Sequence, residues 1–185
     1  MARNVEIKAQ IESIAALTPI VAAIADQGPF AIIQDDSFFR CASGRLKLRA
    51  FSRDAGELIF YRRANQQGPK ESFYLRAPTS APEALRETLS VAYGEVGRVR
   101  KHRTLFLVGR TRVHLDDVQR LGHFLELEVV LQEGEPLETG VREAQSLMDR
   151  LGIRPTQLIE TAYVDLLNQR DLDENGRAAA STALT

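Results

Sequence analysis

An α+β fold is predicted, in which eight antiparallel strands carry most of the chain and helices flank them. Three observations lead there. Eight segments alternate apolar and polar residues with period two, as strands with two unlike faces do. Their short connections carry turn chemistry, as in Ser43-Gly44, Asp54-Ala55-Gly56 and Gly68-Pro69, which suits meanders rather than βαβ units. Other segments show apolar residues at helical spacing between start and stop signals.

The first strand is VEIKAQI at 5–11. A helix is expected over 13–27, with Ser13 as N-cap, Ile14, Leu17, Val21 and Ile24 on one face, and Gly28 as the stop. Pro19 either kinks it or starts a second helix. Strands follow at 30–40, 45–51, 57–64 and 72–77. Residues 81–93 read as a second helix, capped by Ser80, with Pro82 in its first turn and Gly94 at its end. Strands resume at 99–108, 110–118 and 123–131, and helices at 139–151 and 156–168 complete the domain. From Gln169 the periodicity is lost, and no large apolar residue but Leu172 and Leu184 remains. Residues 169–185 are therefore expected to form a disordered tail behind a single domain of 1–168.

The 185 residues suit one domain. A net charge of −1, from 24 basic and 25 acidic residues, argues against a generally basic nucleic-acid-binding surface. Cys41 is the one cysteine, so an internal disulfide is excluded and a reducing cytoplasm is the expected setting. No apolar run approaches the ~20 residues that span a bilayer, and no signal-peptide core follows Met1. No membrane partner is expected.

The strands sort their charges by face. In RLKLR, Arg45, Lys47 and Arg49 share one face and Leu46 and Leu48 the other. Lys101 and Arg103 share a face, as do Arg110, Arg112, His114 and Asp116, and Glu126 and Glu128 lie with Phe124. Glu6 and Lys8 line up with Asn4; Glu57, Tyr61 and Arg63 with Ile59; and Ser72, Tyr74 and Arg76 with one another. Two architectures fit this pattern. One is a sheet whose charged face meets water; the other is a barrel with a polar interior and helices over its apolar exterior. Charges inside a barrel must be paired or used on a ligand. Cations facing carboxylates suit a polyphosphate bound with a divalent metal.

The motifs, taken in order, resemble the CYTH family, also called triphosphate tunnel metalloenzymes, which groups class IV adenylyl cyclases, thiamine triphosphatases and inorganic triphosphatases. NVEIK at 4–8 resembles the family's opening ExExK, with Asn4 in place of the first Glu. GRLKLR at 44–49 and VRKHR at 99–103 resemble its basic strands, and HLDDVQRLGHFLELEVV at 114–130 the segment with a metal-site Asp and the terminal ExE. The likeness runs over about residues 4–165 and is nearest to the class IV cyclase-like branch. It implies an eight-stranded antiparallel β-barrel, or tunnel, with a polar interior and flanking helices. It implies Mg²⁺ or Mn²⁺ held by Glu6, Glu126 and Glu128 with Asp116 nearby. It also implies a triphosphate held by Lys8, Arg45, Lys47, Arg49, Arg63, Lys101 and Arg103 with Arg76 and Arg112, where Arg62 is the alternative to Arg63. Lys8, Arg103 and Asp116 are the residues expected at the reaction itself. The activity implied is ATP to cyclic AMP and pyrophosphate. The alternatives are hydrolysis of an inorganic, thiamine or nucleoside triphosphate, and polyphosphate binding without turnover. The expected partner is a nucleoside triphosphate or inorganic polyphosphate, and a homodimer is the expected assembly. Asn4 offers an oxygen without charge, which weakens a second metal site.

Other polar residues have plainer readings. His102 and His123 are expected outside. His114 is either a hydrogen-bonded tunnel residue or a general base. Cys41 is read as a small core residue, and Tyr163 as helix packing or a hydroxyl at the tunnel mouth. Asp35 and Asp36 are read as turn or edge residues, one of which pairs with a tunnel cation.

Overall fold

Alternation with period two gives each strand a charged and an apolar face, and closing the sheet decides which of them is inside. The computed structural model describes residues 2–63 and 68–182. Its strands are β1 (Ala2–Gln10), β2 (Gln27–Phe39), β3 (Arg45–Ala50), β4 (Gly56–Arg63), β5 (Lys70–Thr79), β6 (Glu95–Val108), β7 (Thr111–Val118) and β8 (Gly122–Leu131). Its helices are α1 (Ile14–Ala22), α2 (Pro82–Tyr93), α3 (Leu137–Arg150) and α4 (Tyr163–Thr182), with a 3₁₀ turn at Pro155–Gln157. The strands close into an antiparallel barrel in the order β1-β5-β4-β3-β2-β6-β7-β8. None of the described helices is long and apolar enough to cross a membrane.

The charges are inside. Leu48 is fully buried on the outer face of β3, under Leu85 and Leu89 of α2. Val5, Ile7, Val113, Leu115, Leu125 and Leu127 likewise face outward, against Leu17 and Val21 of α1 and Ala144, Leu147 and Met148 of α3. The main apolar core therefore lies between barrel and helices. At roughly 25 cal/mol per Å² of apolar surface, it is this outer layer that stabilises the fold.

A second apolar cluster closes one end of the barrel. Phe38, Val99, Val118 and Phe124 point inward there and pack against Ala162, Tyr163, Val164 and Leu167. The chain between α3 and α4 crosses this end: Leu158 bridges to Ala9, and the Ile159 amide donates to the Lys8 carbonyl. What reads as an open tunnel in the sequence is thus a cavity stoppered at one end.

The first and last helices differ from expectation. The first helix stops at Ala22, not 27: the Asp26 amide already donates to the Leu107 carbonyl, so the chain has turned toward β6. The last helix begins at Tyr163, not 156, because residues 158–162 are used to cross the barrel end. It then runs to Thr182, through residues expected to be a disordered tail. Local pairs carry it without an apolar stripe: Gln169 donates to Asp173, Arg170 pairs with Glu174, and Arg120, in the β7–β8 turn, pairs with Asp171 and Glu174.

Gly97 lets α4 approach the sheet, since a Cβ there would sit 2.5 Å from Val164 Cγ2. Gly97→Val should destabilise the protein by about 1–3 kcal/mol through overpacking. Thermal unfolding should register a drop of several degrees.

Candidate active site

Directly opposed residues of antiparallel strands share a face, so the register assembles the site. Lys8 on β1 lies opposite Glu126 on β8, which lies opposite His114 on β7. Glu6, Glu128 and Arg112 form the next row across the same strands. Across the barrel, Asp36 on β2 lies opposite Arg49 on β3, and Arg103 on β6 opposite Asp116 on β7. These rows enclose a cavity of about 300 Å³. Lys8, Lys47, Arg49, Lys101, Arg103 and Arg112 line it together with Glu6, Glu126 and Glu128.

Two buried carboxylates organise the cations. Asp36, 2% exposed, accepts from Lys47 Nζ at 2.8 Å and from Arg49 Nε and Nη2 at 2.8 and 2.7 Å. Asp116, 0% exposed, accepts from Lys101 Nζ at 2.8 Å, from Arg103 Nε and Nη2 at 2.6 Å each, and from the Tyr163 hydroxyl at 3.1 Å. Burial pushes both carboxyls up, but the adjacent guanidinium and ammonium groups outweigh it and hold them well below the usual range. Burial, with Arg49 alongside, lowers Lys47 to about 8 despite the pull of Asp36.

The cavity carboxylates are paired as well. Glu126 meets Arg103 Nη2 at 2.5 Å and Lys8 Nζ at 3.3 Å, and Glu128 meets Arg112 Nη2 at 2.7 Å. Against burial, Lys101, Lys8 and Arg103 keep Glu126 ionised. Burial and Arg103 drive His114 down to about 3, so its ring is neutral. His114, Glu126 and Glu128 bring ligand atoms within 4.8 Å of one another. The buried Nδ1 of His114 and Oδ1 of Asn4 have no hydrogen-bond partner. The two carboxylates with the unsatisfied nitrogen of His114 fit a divalent cation. Glu6 lines the same cavity, outside that trio.

Most of the expected residues converge, and some do not. Arg45 shares a face with Lys47 and Arg49 but lies beyond the cavity, in a bidentate pair with Asp165 of α4 at 2.5 and 3.1 Å. The barrel end intervenes, and Arg45 does not line the cavity. Asp116 stands behind the cavity wall rather than in its lining: it is fully buried, Oδ2 accepts from Lys101, Arg103 and the Tyr163 hydroxyl, and Oδ1 accepts from Arg103 Nε. It sets Lys101 and Arg103. Arg76 stands at the cavity rim, 57% exposed and 3.7 Å from Glu57. The side chain of Arg63 lies outside the described residues, while Arg62 lies outside the barrel over the rings of Phe60 and Phe73. Asp35 pairs on the outer surface with Arg98 and Arg100, and Cys41 is half-buried near Ser43 rather than in the core.

Sequence reasoning missed Lys70. It is 1% exposed, and its Nζ donates to the Glu160 carbonyl at 3.1 Å, just as Lys8 Nζ donates to the Thr161 carbonyl at 3.2 Å. Extending the fifth strand back to residue 70 puts Lys70 in phase with Ser72 and Tyr74, and that was the available signal. Of the two readings of Tyr163, packing against the barrel holds and a hydroxyl at the mouth does not. Tyr163 sits at the closed end, where Lys8 Nζ lies 3.8 Å from its ring centroid.

Relatives share this architecture. Adenylate cyclase CyaB of Aeromonas hydrophila is 29% identical over 91 residues, 49% of this chain and 48% of that protein, so the match spans about half its length. The PH1012 protein of Pyrococcus horikoshii OT3 superposes with a TM-score of 0.78 at 19% identity, over 88% of this chain and 98% of that one. HpAC1 of Hippeastrum, whose description gives a dominant triphosphatase activity, superposes at 0.58 with 16% identity, over 86% and 91%. Residues 2–163 match the CYTH domain. With the stoppered, cation-lined barrel, that match makes this chain a member of the CYTH family of triphosphate tunnel proteins.

Proposed function

We propose that the protein is a metal-dependent enzyme acting on a triphosphate, converting ATP to cyclic AMP and pyrophosphate in the manner of the class IV adenylyl cyclases. One observation carries the reading. Lys8, Lys47, Arg49, Lys101, Arg103 and Arg112 converge on a single cavity whose other wall bears Glu6, Glu126 and Glu128. Cations at this density match the charge of a polyphosphate. The carboxylates would hold Mg²⁺ or Mn²⁺, which when bound neutralises phosphate oxygens and polarises the phosphorus under attack.

The protein's own groups supply positioning and charge. Arg49 and Arg103 are locked by Asp36 and Asp116, so their outward N–H groups are aimed before the ligand arrives. Phosphoryl and nucleotidyl transfer depend mainly on such positioning. Lys8, fixed by Thr161 and Tyr163, places an ammonium beside Glu126 at the closed end. Asp116 acts as a positioning residue. Hydrolysis of the triphosphate is the second reading, favoured by the activity named for HpAC1. The absence of disulfide-forming cysteine pairs suits a cytoplasmic enzyme.

Incubation with ATP, thiamine triphosphate or tripolyphosphate plus Mg²⁺ or Mn²⁺ tests both readings. Cyclic AMP with pyrophosphate selects the cyclase and orthophosphate release the hydrolase; binding without turnover of any of them overturns an enzymatic role. Glu126→Gln should lower the rate by at least ~10²-fold, because it removes a charged ligand of the ion and frees Arg103.

Binding of ATP should weaken as pH rises through 8, because Lys47 loses its proton near there and an anion site loses a cation. Lys47→Arg keeps the charge and should flatten the profile between pH 7 and 9 in titration calorimetry. An unchanged slope would remove Lys47 from the phosphate site.

A further inference from the structure

The cavity contains one potential ligand that the family resemblance does not assign, the imidazole of His114. It is 4% exposed, and its Nδ1 lies 3.6 Å from Glu128 Oε1, too far for a hydrogen bond. That nitrogen has no partner, although polar atoms this deeply buried nearly always have one. Glu128 is turned so that Oε2 is taken up by Arg112 at 2.8 Å from Nε, leaving Oε1 toward the ring. Glu126 stands opposite His114 in the β7–β8 register and completes a group whose ligand atoms lie within 4.8 Å. One face of the cavity thus holds a nitrogen and two carboxylates converging on a common point.

A second unpartnered donor lines the same cavity and is neutral too. Asn4 occupies the first position of the NVEIK motif, is 2% exposed, and has a buried carbonyl oxygen without a partner. Register places it on β1 two residues before Glu6, on the same inward face. Where an acid would add charge for a hard oxygen-seeking ion, this chain offers a carboxamide and an imidazole. The carboxylates that remain are shared with Arg103, Lys8 and Arg112, which reduces the negative charge they present.

Magnesium takes oxygen ligands almost exclusively and keeps several waters. Imidazole nitrogen favours first-row transition ions, whose affinities rise along the series that begins with manganese. We propose that His114 is a direct nitrogen ligand of the catalytic ion, with Glu126 and Glu128, and that it makes the site selective for a first-row transition ion over magnesium. The inference rests on the reading of this cavity as a metal site and adds the identity of the ion and a ligand for it.

Manganese(II) is the probe, because its spin reports both free concentration and bound nuclei. Equilibrium titration of the protein with Mn²⁺, followed by the electron paramagnetic resonance of the free ion, gives its affinity; competition gives that of Mg²⁺. Mn²⁺ should bind at least ~10-fold more tightly than Mg²⁺, and pulsed spectra of the bound ion should show coupling to a ¹⁴N nucleus. His114→Gln, which replaces nitrogen by an amide oxygen, should abolish the coupling. It should lower Mn²⁺ affinity ~10- to 100-fold, the range typical of lost ligand support, and change Mg²⁺ affinity less than ~2-fold. The wild-type spectrum needs no variant, so a His114→Gln protein that fails to fold leaves the test intact. Bound Mn²⁺ without nitrogen coupling, or an equal loss of both ions in the variant, overturns the role of His114 while the metal site stands. Failure of the wild-type protein to bind either ion overturns the metal site itself.

Discussion

Burying cations side by side is expensive unless each meets a counter-charge held in good geometry, and two carboxylates meet that need here. Asp36 gathers Lys47 and Arg49 from β3, and Asp116 gathers Lys101 and Arg103 from β6. Each aspartate sits one strand away from the cations it holds, so it also ties neighbouring strands at a fixed register. Without these two groups the inward faces would repel one another, and turning RLKLR outward would become the cheaper arrangement. The polar interior, the outer apolar layer and the aim of the guanidinium groups all depend on this pairing.

The cations are paired without being neutralised as a set. Seven Lys and Arg residues, Arg76 at the rim included, line the cavity with Glu6, Glu57, Glu126 and Glu128, while Asp36 holds two of the cations from the β2 side. Pre-aimed donors lose little entropy on binding, which is how a rigid site favours the charge distribution of a transition state.

Closure at one end adds direction. The chain between α3 and α4 crosses the barrel, and the ammonium groups of Lys8 and Lys70 donate to its carbonyls at Thr161 and Glu160. Phe38, Val99, Val118 and Phe124 seal the same end with the first turn of α4. Arg76 and Glu57 stand at the opposite rim, and Tyr163, Asp116 and Lys101 meet at the buried floor. At such depth each charge interaction is stronger than it would be at the surface.

Much of this was legible in one dimension. Period-two alternation located all eight strands, and it put Lys47 with Arg49, Lys101 with Arg103, and Glu126 with Glu128 on common faces. The order of the motifs then chose the barrel over the solvated sheet, which periodicity left open. Parity could say which residues share a face, but not how far along the barrel each one lies. For that reason parity groups Arg45 with the cavity although the stopper lies between them, and it leaves open which of Asp35 and Asp36 pairs with a tunnel cation, a place that falls to Asp36. The resemblance puts Asp116 near the metal, and only the three-dimensional meeting of Lys101, Arg103 and Tyr163 shows what holds it behind the cavity wall. The course of the chain after Gln169 is not legible in apolar periodicity, because there α4 carries polar pairs, including one to Arg120 from a distant turn, in place of the apolar residues of its first turn. Sequence alone determined the strands, their two faces and the chemistry available on each. Tertiary structure decided depth and partnership, because both depend on barrel closure and on contacts between residues far apart in the chain.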